Sequence, residues 1–139
     1  MRDGDEEKAT RQMATAIWNR AVLDGGGRTP GPGDAALAAM MALHGLAMNG
    51  GVLDAVGAMS TAKFEEACAG YAFFGFHEVP PLLIRARGAL TFRKQVGSFE
   101  ASFDNEYRAA IPDDGAILSA FKRHLGTNPE LYAPIEKPQ

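Results

Sequence analysis

The sequence predicts an all-α fold, a compact single-domain bundle of about six to seven helices over residues 1–139. Three observations lead there. Apolar residues recur at spacings of three and four through at least six segments, capping or stop residues bound those segments, and no stretch alternates with the period of two that marks a strand. An apolar content of 46% in 139 residues is enough to fill one core without a metal or a disulfide.

The first helix runs from about Asp5 to Leu23, with Met13, Ala14, Ile17, Trp18, Ala21 and Val22 on its apolar face. It ends in Asp24-Gly25-Gly26-Gly27, and residues 24–33 form a Gly/Pro loop too irregular to be helical. Asp34 is expected to cap a second helix carrying Leu37, Met40, Met41, His44 and Met48, which stops at Asn49-Gly50-Gly51. A short helix through Val52 and Val56 follows. Ser60 or Thr61 opens the next, with Phe64, Cys68, Tyr71 and Phe74 inward and Gly75 as its stop. Pro80 and Pro81 suit the first turn of a helix that buries Leu82, Leu83, Ala86 and Leu90. From Ser98 the pattern restarts, and Phe99, Phe103 and Tyr107 share one face at i, i+4 and i+8. Pro112-Asp113 breaks and recaps the chain into a helix with Ile117, Leu118, Phe121 and Leu125. Gly126 to Pro129 reads as a turn, Leu131, Tyr132 and Ile135 pack back, and residues 136–139 form a frayed tail. Trp18, Phe64, Tyr71, Phe103 and Phe121 are assigned to the core.

Seventeen acidic and 14 basic residues give a net charge of −3. The basic residues stand singly or in pairs, so the chain lacks the basic stripe that direct nucleic-acid binding requires. The same mixture is thin for a DNA mimic, which needs dense rows of carboxylates. No run approaches the roughly 18 apolar residues of a membrane span, and Met1 to Lys8 lacks a signal-peptide core. With a single cysteine, Cys68, no internal disulfide forms, and these features together predict a cytoplasmic protein.

Candidate chemistry is sparse. The Gly25 to Gly33 stretch lacks the Gly-Lys-Ser/Thr and the preceding strand of a phosphate loop, and reads as a linker. His44, His77 and His124 are far apart, without metal-ligand spacing, so neither metal nor cofactor is expected. Cys68 falls on an apolar face as an inert core thiol. The carboxylates Asp54, Glu78, Asp104 and Glu106 act as acid and base only if folding pairs them. Met40, Met41 and Met48 read as core filler more readily than as an adaptable surface.

The stretch His44 to Val52 is the most informative, because a helix must stop, turn and restart there. Gly45 inside an apolar helix costs about 1 kcal/mol relative to alanine, which suggests close approach by another backbone or ring. The architectural reading is that Gly50 and Gly51 simply permit the turn. In the functional reading, His44, Asn49 and the Gly50-Gly51 amides line a notch for a partner's main chain.

Leu43-His44-Gly45, Met48-Asn49-Gly50-Gly51-Val52, Tyr71 to Gly75, Ile111-Pro112-Asp113-Asp114, Phe121 and Asn128-Pro129 together resemble the bacterial DNA-mimic-protein C-terminal-like family. The resemblance spans about residues 37–134. It implies a helical fold, homodimerisation and the binding of protein partners; for the named member it implies acidic mimicry that blocks a DNA-binding protein. In that family Asn-Gly-Gly is usually followed by an aromatic residue, where Val52 stands here. The expectation is therefore a non-enzymatic protein-interaction module with no catalytic residue, the alternatives being a DNA-mimic inhibitor or a small enzyme using dispersed carboxylates and histidines.

Overall fold

The computed structural model describes residues 2–90 and 96–135, without the side chains of residues 2, 3, 6 and 96–99. The Phe99 ring and the tail 136–139 lie outside that description. Seven α-helices follow in order: α1 (Arg2–Asp24), α2 (Pro32–Gly50), α3 (Val52–Ala58), α4 (Thr61–Phe73), α5 (Val79–Ala89), α6 (Val96–Ala110) and α7 (Asp114–Thr127). A 3-10 turn, Pro129–Leu131, follows α7, and there is no strand among the described residues.

The boundaries follow local chemistry. Ser60 Oγ accepts from the Lys63 amide at the start of α4, and Asp113 Oδ1 accepts from the Ala116 amide at the start of α7. Pro80 and Pro81 occupy the first turn of α5, and Gly75 sits at φ 89° just past α4. Several boundaries move: α1 starts at Arg2 rather than about Asp5, α6 at Val96 rather than Ser98, and the loop expected over residues 24–33 ends at Gly31, because Pro32 and Gly33 fit the first turn of α2. Asp34 is not the cap of α2 but its third residue, where its Oδ2 accepts the amide of Gly31, the actual cap. Gly126 does not stop α7, which continues to Thr127 and is capped by Asn128.

α2 is the central helix and packs on α1, α3 and α4, the last being the most extensive pairing. Gly70 permits it: a Cβ there would stand 2.5 Å from the Ala36 carbonyl oxygen and 3.3 Å from Met40 Cβ. The core gathers Ile17, Leu37, Met40, Leu43, Val56, Phe64, Tyr71, Leu83, Ile117 and Phe121, each worth about 1.5 to 3 kcal/mol on full burial. α5 is tied to the α3–α4 joint by Arg87, which donates to the carbonyls of Val56 and Met59 and lies 4.7 Å over the Phe64 ring.

Phe64, Tyr71, Phe103 and Phe121 are buried as expected, while Trp18 is only partly buried, tilted against Phe121 at 5.9 Å. Other assignments are corrected. Met13, Val22 and Met48 are exposed, because helical periodicity marks a face but not how much of it a neighbour covers. Met41 and Cys68 are only partly buried. Gly45 is exposed with open space around its Cα, so the close approach expected there occurs at Gly70 instead.

Candidate partner-binding site

The joint between α2 and α3 is one residue long. Gly51 at φ 94° and ψ 167° ends one helix and begins the next, a conformation that side chains strongly disfavour. Its amide donates to the Ala47 carbonyl at 2.8 Å and its carbonyl accepts from the Ala55 amide at 3.0 Å. Gly50 is still helical, and a Cβ on it would collide with the Asp54 carboxylate.

α6 crosses this joint. Asp104 Oδ1 accepts the Val52 amide at 2.9 Å, replacing the capping side chain that glycine cannot supply. Between α6 and the joint lies a notch of about 220 Å³, lined by Met48, Asn49, Gly50, Gly51, Asp104 and Arg108, with Ala47, Val52 and Tyr107 behind them. Asn49 and Gly50 are exposed and Gly51 is half-buried. Arg108 lies one turn after Asp104 on the same helix, the spacing of an ordinary acid–base pair, yet no ion pair engages it among the described residues. Asp104 is turned instead toward Val52.

The sequence grouped His44 with Asn49, Gly50 and Gly51; the structure separates it. His44 is 2% exposed and belongs to a chain of hydrogen bonds behind the notch, buried from Tyr71 to His44 and ending at the exposed Asp114. Its Nδ1 is 2.7 Å from the Tyr107 hydroxyl, which is 2.6 Å from the Tyr71 hydroxyl, and its Nε2 is 2.7 Å from Asp114 Oδ1. The four residues come from α2, α6, α4 and the first position of α7. Burial is the main cause that raises both phenols above the ordinary tyrosine range, so both keep their protons. Facing a carboxylate oxygen, Nε2 is assigned as the ring nitrogen that donates and Nδ1 as the one that accepts. The polarity then runs Tyr71 O–H to Tyr107 oxygen and Tyr107 O–H to His44 Nδ1.

A second expectation changes sign. The Gly50 and Gly51 amides were to face a partner, but Gly50 lies within α2, Gly51 N–H is held by Ala47 and Val52 N–H by Asp104. What the joint presents is acceptors, the last carbonyls of α2 and the Asp104 carboxylate, beside the Arg108 guanidinium. Asp104 and Tyr107 appeared in the sequence only as a dispersed carboxylate and an apolar-face residue. The i, i+4 spacing of Asp104 and Arg108 is the one local signal of the notch.

Other titratable groups are engaged elsewhere. The Cys68 thiol is raised by burial, partly offset by Arg87, and His124 Nδ1 lies 2.8 Å from the Tyr132 hydroxyl. Among the described residues no three His, Cys, Asp or Glu side chains converge as metal ligands, and no helix is long and apolar enough to cross a membrane. No protein-family model, curated protein or solved structure matches this chain.

Proposed function

We propose that the chain is a non-enzymatic protein-interaction module that receives a partner's main chain in the α2–α3 notch. One observation carries this reading: the side chains of Arg108 and Asn49 line a notch of about 220 Å³ with no hydrogen-bond or ion-pair partner among the described residues, so free donors stand beside the Asp104 carboxylate and the C-terminal end of α2. An extended peptide presents the complementary alternation of C=O and N–H. The half-exposed Met48 adds an adaptable apolar contact.

The resemblance to the DNA-mimic-protein C-terminal-like family supports the same class of partner. Main-chain recognition is favoured over DNA mimicry because nearby carboxylates already have partners within the chain: Asp104 the Val52 amide, Asp114 His44, and the exposed Glu106 Arg85. Affinity capture from native host extract tests the reading. Wild-type chain should retain a partner that Arg108→Glu and Asn49→Ala lose, with melting temperatures unchanged. Equal capture by all three would refute it.

A further inference from the structure

The segment after α7 is held as a peptide ligand would be. Tyr132, extended at φ −117° and ψ 136°, is 6% exposed, with its ring over Gly33 and edge-on to Phe121 at 5.7 Å. A Cβ on Gly33 would stand 2.5 Å from that ring, and one on Gly31 would strike the Leu131 carbonyl oxygen, so both glycines form the floor on which the segment lies. The main chain is read at both polarities. Asp34 Oδ2 accepts the Ala133 amide at 2.7 Å, while Arg20 Nη2 donates to the Ala133 carbonyl at 2.8 Å and Nη1 to the Pro134 carbonyl at 3.1 Å. Arg20 and Asp34 hold each other at 2.7 Å, with Asp34 wholly buried.

This clasp addresses backbone groups and one aromatic ring, and nothing in it requires the segment to be covalently continuous with α7. A depression of about 530 Å³ runs along Ala133, Pro134 and Ile135, leaving one flank of the segment open. The link to α7 is the four residues Asn128 to Leu131, the last three a 3-10 turn, a short hinge of the kind that invites exchange between copies.

We propose that the groove between α1 and the start of α2 is a peptide-binding site, filled in cis by Tyr132 to Pro134 and open in trans to the same segment of a second copy. Apart from the hinge hydrogen bonds of the Leu131 amide to Asn128 and the Tyr132 amide to Pro129, the groove contacts are the same in the two arrangements, so exchange is governed mainly by effective concentration. For so short a hinge that is on the order of 1 mM, which keeps the chain about a hundredfold away from dimer at 10 μM.

Complementation tests it with full-length chains. Tyr132→Ala leaves the groove built but removes its ring, and Arg20→Gln leaves the segment but removes the clasp. Each alone should sediment as a monomer. Mixed at about 100 μM, they should give a 1:1 species of twice the chain mass, with the Arg20→Gln segment cross-linked to the Tyr132→Ala groove. A mixture that stays monomeric overturns the proposal, even if a synthetic peptide of residues 128–135 binds Tyr132→Ala, since the occupant would then not be a second copy. Should either variant fail to fold by circular dichroism, wild type decides: labelled and unlabelled chains held at about 1 mM should form a mixed dimer, and monomers alone at that concentration overturn it.

Discussion

Tyr107→Phe removes one oxygen from the middle of the buried chain and disconnects two groups at once. His44 Nδ1 loses its donor and the Tyr71 hydroxyl its acceptor, and both are buried, so neither recovers a hydrogen bond from water. Each buried group left unsatisfied costs about 1 to 3 kcal/mol, and the lost phenol takes its own desolvation with it, giving a net fall of about 2 to 4 kcal/mol. Tyr71→Phe removes the donor at the end of the chain and leaves Tyr107 bonded to His44, so its cost should be only about 0.5 to 1.5 kcal/mol. Urea unfolding separates the two. At an m-value near 2 kcal/mol per molar, the Tyr107→Phe midpoint should drop by roughly 1 to 2 M, against well under 1 M for Tyr71→Phe. A double-mutant cycle should return a coupling larger than the cost of Tyr71→Phe alone, because once Tyr107 has no hydroxyl that substitution removes an unsatisfied buried phenol. Equal losses from the two single variants, or no coupling, would refute the assigned polarity of the chain.

Gly51→Ala should destabilise the fold by about 1 to 3 kcal/mol through its positive φ, whereas Gly50→Ala should cost less because the exposed Asp54 side chain can move aside; calorimetry that ranks them the other way contradicts the joint described above. Phe121→Ala should cost about 3 to 5 kcal/mol, since the fully buried ring contacts both Trp18 and Tyr132, and an unchanged melting temperature would remove it from the core. Desolvation holds the His124 imidazole below its ordinary value, with Glu130 opposing, so the folded state binds fewer protons than the unfolded chain. Stability contributed by this group is therefore full above the unfolded value near 6.5 and lost as pH falls below it. The protection factor of the Ala133 amide, its exchange rate corrected for the intrinsic pH dependence, should fall on acidification from pH 7 to 5.5 in wild type and change less in His124→Gln.

The sequence by itself determined the class of fold, the seven helical segments and most of their ends, because apolar spacing, prolines, Ser60, Asp113 and the Gly50-Gly51 pair act within a few residues of one another. It also located the joint at which a partner is proposed to bind. Only the tertiary structure decided which glycine admits a neighbouring backbone, since Gly45 and Gly70 are alike in sequence and differ in whether α2 or α4 lies against them. It likewise turned Asp34 from a helix cap into the buried anchor of a segment 99 residues away, and withdrew His44 from the notch into a chain with Tyr107 and Tyr71. Asp104 reaches Val52 across 52 residues, and no local pattern encodes that meeting. Helix formation is governed by neighbours along the chain, whereas the pairing of polar groups between helices depends on how whole faces pack, and that is fixed only when the core closes.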